Sequence, residues 1–313
     1  MLTWAELTVG SFHWANSCYG RPLAEEVVMT GSLPVAAQVD LRRQPVEDVL
    51  ERVQQALHVR LDRQALVRKR RSLGGRTQRG TWVRIERRGV ERIARQGWNG
   101  TEAAAVLQGV AMPQWYQGVA WREQGEPVMW RADELELMTS PSIGKSALVL
   151  DDPGLPNAWW EALNASLDAL AAQETPRLAT PDTVTITQEQ VTQTLGEAFP
   201  GLTDTGIERW APAHADLTWA NVMGPEFSII DWEDWGMAPR GLDAATLWGN
   251  ALAVPALADR VHQERRVDLE SRDGRLMSLF FLSKIVAAHA YEGDPLLAPA
   301  RKEAERLVAE LQV

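Results

Sequence analysis

The sequence predicts an α+β fold in two lobes, a small β-rich one followed by a larger, mainly helical one. Three observations lead there. Strand-like runs and turn signals dominate residues 65–137. Helical periodicity takes over from residue 156 to the end, interrupted by a compact block of short strands between 210 and 240. Between the two regimes lies MTSPSIGK, residues 138–145, a polar stretch of small residues broken by Pro141 and Gly144 that suits a linker. A chain of 313 residues is long enough for two compact units, divided here into 1–138 and 139–313.

Taken in order, residues 1–45 mix short apolar pieces with Gly and Pro and show no clear period. Residues 45–59 read as a helix: Val46, Val49, Leu50, Val53 and Leu57 share one face, acids fill the first turn, and Pro45 suits a helical start. Residues 65–88 read as a β-hairpin in which ALVRKRRS and TWVRIERR flank the turn-rich GGRTQRG. Residues 100–109, GTEAAAVLQG, are rich in helix formers. Two strands follow, 115–121 and 128–130, with the turn tripeptide GEP between them and the second strand continuing toward Leu137. Amphipathic helices are expected at 156–173 and 187–199, joined by a Pro/Thr-rich connection. The strongest helical runs after residue 242 are 274–290 and 298–311.

Composition narrows the function. The formal net charge is −10, from 32 basic and 42 acidic residues, which disfavours general nucleic-acid binding. The charge is unevenly placed: residues 60–95 hold thirteen Lys/Arg against three Asp/Glu, whereas 204–234 hold seven Asp/Glu against Arg209 alone. Two solvated faces of opposite sign would read this way. So would a basic half facing polyphosphate and an acidic half facing a metal and a cationic substrate. No apolar run approaches the roughly 20 residues that span a bilayer, so no membrane partner is expected. The first residues lack the basic start and apolar stretch of a secretory leader. The single cysteine, Cys18, forms no internal disulfide and has no metal-ligand spacing around it. A reducing, cytoplasmic setting fits these features.

The densest run of functional side chains is APAHADLTWANVMGPEFSIIDWEDWG, which holds His214, Asp216, Asn221 and Asp231. Phosphoryl transfer asks little of a protein: a carboxylate to orient and deprotonate a hydroxyl, and oxygen ligands to hold Mg²⁺ against the phosphates. Asp216 can be that base, and Asn221 and Asp231 can be those ligands. The apolar run 227–230 ends at Asp231, so a strand would hold the carboxylate rigidly. Val222 and Met223, before the Gly224–Pro225 turn, can pair with that run, which would put Asn221 and Asp231 at the same open end of a small hairpin.

These residues resemble a known pattern. His214-Ala-Asp216-Leu-Thr-Trp-Ala-Asn221 is similar to the H-x-D-x-x-x-x-N loop of the aminoglycoside phosphotransferase and choline kinase group, small-molecule relatives of the protein kinases. Ile230-Asp231-Trp232-Glu233 resembles that group's I-D-W/F-E step, and Asp243 in GLDAA resembles the Asp that opens the following helix. A His with Asp at +2 and Asn at +7 recurs by chance in about one chain in a hundred at average residue usage. The apolar strand ending in Asp-Trp-Glu ten residues on makes coincidence much rarer. The resemblance implies a bilobed protein-kinase-like fold, ATP and Mg²⁺ as cofactors, and a hydroxylated small molecule as acceptor. It implies Asp216 as base, Asn221 and Asp231 as metal ligands, and His214 and Asp243 as the residues that hold the loop.

The first half fits the pattern less closely. The resemblance implies a turn over the phosphates, a basic residue on a following strand, a helical Glu to brace it and a hinge that meets adenine. Gly74 and Gly75 can supply the turn, because glycine lets backbone N–H groups approach phosphate. The strand lysine is absent. Arg84 stands nearest its place, on the face that Trp82, Arg84 and Glu86 share, and Lys69 on the preceding strand competes with it. Glu102 opens the next helix and takes the place of the bracing Glu, although an acid there also suits the helix dipole. Residues 136–139, including Met138, fall at the hinge.

Fourteen tryptophans are many for this length. Trp159 and Trp160 lie on a helical face and read as core. Trp219, Trp232 and Trp235 surround the motif; they can line a substrate pocket or pack around the loop, and packing is the expectation for Trp232. His13, His58, His262 and His289 form no constellation. A different class of function stays open: a nucleotide- or partner-binding module without turnover, for which the missing lysine speaks.

Overall fold

A computed structural model describes residues 40–93, 96–181, 184–286 and 293–312. Cys18, His13, His289 and the irregular start of the chain lie outside the described residues.

The first helix, α1 (Glu47–Ala56), forms as its period predicts, with Glu47 and Asp48 in the first turn and Leu50 and Val53 buried. A five-stranded antiparallel sheet follows, built from β1 (Val67–Arg68), β2 (Ser72–Arg76), β3 (Thr81–Gly89), β4 (Trp115–Arg122) and β5 (Val128–Glu136). Its spatial order is β1-β2-β3-β5-β4. Strand alternation sends successive side chains to opposite faces. Val83, Ile85, Trp130 and Ala132 therefore share one face and bury against Leu50, Val53 and Leu57 in a first apolar core. The other face of β3 carries the half-buried Trp82, Arg84, Glu86 and Arg88. In register, Arg84 lies between Gly74 of β2 and Asp133 of β5.

The single hairpin expected at 65–88 is thus three strands. Its tip is the tight turn at Thr77–Gly80, closed by the Gly80 N–H donating to Thr77 O at 3.0 Å. The helix expected at 100–109 is also shorter: α2 spans Gly100–Ala104. Beyond it the Leu107 N–H reaches the Ala104 carbonyl at 2.9 Å, three residues back rather than four, and Gly109 turns the chain at φ 74°.

The second core is larger and separate. Helix α3 (Asn157–Ala171) buries Trp159, Trp160, Leu163, Leu167 and Leu170. Helix α4 (Gln188–Ala198) starts at Thr187, whose side chain accepts from the Gln190 N–H. Four short strands form two hairpin-like pairs: β6 (Trp210–Ala213) with β9 (Gly236–Pro239), and β7 (Val222–Met223) with β8 (Ser228–Ile229). The chain ends in α5 (Leu242–Gly249), α6 (Pro255–Glu264), α7 (Arg266–Leu269), α8 (Arg272–Val286) and α9 (Leu297–Leu311). Helix α8 buries residues almost all round, among them Leu276, Met277, Leu279, Phe280, Phe281, Leu282 and Ile285, as a helix at the centre of a lobe must. No helix among the described residues is long and apolar enough to cross a membrane.

Ala104 of α2 packs with the second core, not with the sheet that precedes it. The short helix is therefore anchored on the far side of the boundary. Leu163 is fully buried in that second core. Leu163→Ala should lower unfolding free energy by about 2–5 kcal/mol, read from the denaturant midpoint at unchanged slope. A shift below about 0.5 kcal/mol would mean that this helix does not pack as described.

Candidate active site

The loop between β6 and β7 is held by one carboxylate. Asp243, in the first turn of α5, accepts the His214 N–H at 2.7 Å and the Ala215 N–H at 2.9 Å. Ala215 sits at φ 70°, a left-handed conformation that an alanine rarely adopts unless its surroundings impose it. His214 is fully buried. Its Nε2 lies 3.0 Å from the Ile230 carbonyl and its Nδ1 accepts the Asp216 N–H at 3.3 Å, so the proton sits on Nε2. The Trp232 ring meets the imidazole edge-on, with centroids 4.7 Å apart. Both ring nitrogens are engaged, and burial pushes the imidazole's pKa below its ordinary value. His214 is a neutral structural residue and neither a metal ligand nor a base. Burial likewise raises the Asp243 carboxyl, against the pull of His214 and the two N–H groups.

The same loop presents Asp216 and Asn221. The Asn221 Nδ2 donates to the Asp216 main-chain oxygen at 2.8 Å and to its Oδ2 at 2.9 Å. That fixes the orientation of the Asp216 carboxylate and leaves the Asn221 carbonyl Oδ1 as the acceptor for a cation. Val222 and Met223 pair with Ile229 and Ser228, and the Ile230 N–H donates to the Asn221 carbonyl at 2.9 Å. Asn221 thus stands opposite Ile230, and Asp231 is the next residue. The expected hairpin forms, and it brings the two candidate metal ligands to one end.

Asp231, at φ 72°, faces the sheet of the first lobe. Arg84 on β3 donates through Nη1 to Asp231 Oδ1 at 2.5 Å, and through Nη2 to Glu86 and, at 3.1 Å, to Glu233 Oε1. Arg88, two pleat repeats further along the same face, donates to Glu233 Oε2 at 2.5 Å. The indole Nε1 of Trp98 reaches the same oxygen at 3.0 Å, and Arg88 stacks over that ring. Burial raises the Glu86 carboxyl to about 8, reinforced by its anionic neighbours Glu233 and Asp231 and opposed by Arg84. Burial also acts to raise Glu233, but Arg88 and Arg84 outweigh it and hold that carboxyl below the usual range. Asp231 is raised by burial, with Arg84 opposing.

Several sequence expectations change here. Arg84 meets Asp231, and Lys69 does not: it is exposed in the β1–β2 turn. Glu102 does not brace Arg84. Its carboxylate accepts from Arg131 Nη2 at 3.2 Å, because Arg131 on β5 lies between the helix and β3. Gly74 and Gly75 do not form the turn. They lie inside β2, and Gly74 is bare because the Trp82 indole covers it: a Cβ there would stand 2.1 Å from the ring. Met138 lies half-buried just past β5, in the connection to the second lobe. The sequence pattern gives Arg88 no role, Glu86 only a shared strand face with Arg84, and Glu233 only the last position of the I-D-W-E step. The alternation of β3 already places Glu86 and Arg88 with Arg84, but nothing in the sequence pairs them with Glu233.

The tryptophans around the loop are packing residues. Trp219 is fully buried, stacks on Trp159 at 6.2 Å and donates to the Leu247 carbonyl. Trp232 donates to the Ile229 carbonyl and Trp235 to the Gly100 carbonyl. Each indole N–H is satisfied inside the core, as buried tryptophans require.

Most of the chain matches solved structures of small-molecule kinases. The crystal structure of aminoglycoside phosphotransferase APH(4)-Ia superposes with TM-score 0.56 at 12% identity, over 85% of this chain and 99% of that one. The chain has the aminoglycoside phosphotransferase fold. Amicoumacin kinase hAmiN, in complex with AMP-PNP, Ca²⁺ and Ami, matches with TM-score 0.53 at 12% identity, over 87% of this chain and 94% of that one. A thermostable mutant of APH(4)-Ia matches with TM-score 0.52 at 13% identity. At these identities the likeness is one of fold. No family model and no curated protein sequence matches the chain.

Within this phosphotransferase fold the donor set suits a hard cation. An amide carbonyl and a carboxylate stand together, and among the described residues no cluster of three or more His, Cys, Asp or Glu offers a closed protein cage. Two protein oxygens completed by phosphate oxygens is how Mg²⁺ is commonly held. The loop itself hangs on Asp243. Asp243→Ala removes the acceptor of two buried N–H groups and should cost about 2–4 kcal/mol. Equilibrium unfolding that finds the variant within about 0.5 kcal/mol of wild type would show that the loop is held by something else.

Proposed function

We propose that this chain transfers the γ-phosphoryl group of ATP to a hydroxyl of a small molecule, with residues 1–138 gripping the nucleotide and 139–313 carrying the catalytic loop. One observation supports this most. Asp216, Asn221 and Asp231 are brought to one edge of the second lobe by a hydrogen-bonded loop, and Arg84 of the first lobe reaches across to Asp231.

In this reading Asp216 accepts a hydrogen bond from the acceptor hydroxyl and aims its oxygen at the γ-phosphorus. A new O–P bond forms as the bond from the γ-phosphorus to the β–γ bridging oxygen breaks. ADP leaves and the hydroxyl proton passes to Asp216. Asn221 Nδ2, donating to Asp216 Oδ2, keeps that carboxylate from rotating away. The Asn221 carbonyl and the Asp231 carboxylate would hold Mg²⁺, which when bound neutralises charge on the β- and γ-phosphates. Arg84 carries a permanent positive charge toward the phosphates. Its Nε–H and second Nη1–H have no protein partner among the described residues and can serve them.

The acceptor class follows from charge. The catalytic loop lies in the acidic stretch of the chain, which suits a cationic acceptor such as an aminoglycoside-like antibiotic better than an anionic one. Sugars and nucleosides satisfy the same chemistry. A cytoplasmic role, where ATP is abundant, and antibiotic inactivation belong to this proposal.

ATP consumption measured against a panel of hydroxylated antibiotics, nucleosides, sugars and choline should reveal an accepted substrate. Asp216→Ala should then lower kcat by about 100- to 10,000-fold while its thermal midpoint stays with the wild type. No turnover with any acceptor, alongside nucleotide binding that Asp216→Ala leaves intact, would instead identify a binding module without catalysis.

A further inference from the structure

We infer that Glu233, rather than Glu102, is the positioning residue that holds Arg84 in place for the phosphates; this rests on the phosphotransferase reading above. The geometry leads there by exclusion and then by direct contact. Arg84 faces Asp133 across β5 in register, but both Asp133 oxygens are taken by Arg131, at 2.7 and 2.6 Å, and one of them also by Trp115 Nε1 at 2.8 Å. Arg131 takes Glu102 as well. Two acids that could have reached Arg84 are thus committed to a second guanidinium.

Three carboxylates meet Arg84: Asp231, Glu86 and Glu233. They are not equivalent. Asp231 is the cation's ligand, so its bond to Arg84 must be shared with that ion. Glu86 is two residues away on the same strand, so it moves with Arg84 and cannot fix β3 against the second lobe. Glu233 is carried by the second lobe, close to Asp231, and both its carboxylate oxygens already accept from Arg84, Arg88 and Trp98.

Glu233 is itself locked, as a positioning group must be. Its Oε1 accepts Arg84, and its Oε2 accepts Arg88 and Trp98. Its backbone lies against α2 so closely that a Cβ on Gly100 would stand 2.0 Å from the Glu233 carbonyl oxygen. Trp235 clamps the same contact by donating to the Gly100 carbonyl at 2.8 Å. The helix that would ordinarily offer its own acid is pinned beneath Glu233 and lends it rigidity instead. A charge-assisted bond to a fixed carboxylate leaves an arginine its remaining N–H groups in a defined direction, which is what bidentate or paired phosphate contacts need.

Calorimetric titration of the full chain with ATP and Mg²⁺, and separately with adenosine, tests this without turnover. Glu233→Gln should weaken ATP by about tenfold or more and leave adenosine within about twofold, because the lost contact acts on the phosphates. Glu102→Gln should change neither by more than about threefold. If Glu233→Gln shows no cooperative thermal transition, Glu233→Asp replaces it: the charge stays, the reach to Arg84 shortens, and a loss of about threefold or more for ATP alone is expected. Wild-type binding with ATP affinity unchanged in the Glu233 variants, or lowered equally for adenosine, overturns the inference and leaves the phosphotransferase reading standing. A larger loss in Glu102→Gln than in Glu233→Gln overturns it too. Absence of any nucleotide binding by the wild-type chain overturns the phosphotransferase reading and this inference with it.

Discussion

One carboxylate receiving two backbone N–H groups organises the candidate site. Asp243 at the head of a helix captures His214 and Ala215 and forces the chain through a left-handed turn there. Every functional position downstream inherits that constraint. His214 is turned so that one ring nitrogen meets Ile230 and the other meets Asp216. The first contact ties the loop to the residue before Asp231, and the second fixes the backbone at Asp216. Charge-assisted bonds of this kind contribute about 1.5–3 kcal/mol each, enough to hold one alanine out of its preferred conformation.

The second organising feature is electrostatic and crosses the lobes. Most cations of the basic stretch in the first lobe are exposed, but the basic and acidic stretches are not wholly solvated. They meet, through Arg84 and Arg88 on one side and Asp231 and Glu233 on the other. Buried ion pairs add little net stability compared with apolar packing, but removing one partner strands the rest at a cost of about 3–5 kcal/mol. A cluster with more acids than arginines is therefore better explained by what it positions than by what it stabilises. The Asp231 carboxylate beside Asn221 is where a cation would be drawn, and the arginine N–H groups left over are where phosphate would be drawn.

Much of this was legible in the sequence, and the reasons are local. The loop from His214 to Asn221 could be placed because it spans eight consecutive residues, and Asp231 because it follows one short hairpin. Helices α1, α3 and α4 could be read because each has one apolar face. The first lobe was harder. The glycines of GGRTQRG read as a turn, yet Gly74 is glycine to admit the ring of Trp82, a packing demand invisible to turn chemistry. The short helix from Gly100 was read too long because its composition favours helix while Gly109 and the packing of Ala104 end it early. Glu102 matches Arg84 by order along the chain. Its true partner, Arg131, is set by strand pairing between β3 and β5, and no local pattern encodes that pairing.

In the proposed reaction Asn221 and Asp231 would grip one cation at the end of the small hairpin, beside the Asp216 carboxylate that Asn221 orients. A crystal structure of the chain with AMP-PNP and Mg²⁺ measures that directly. The account predicts an ion bound by Asn221 Oδ1 and the Asp231 carboxylate at about 2.0–2.1 Å, bridging the β- and γ-phosphates, with Asp216 beside the γ-phosphate. A nucleotide seated elsewhere, or an ion that leaves Asn221 and Asp231 unligated, would contradict it.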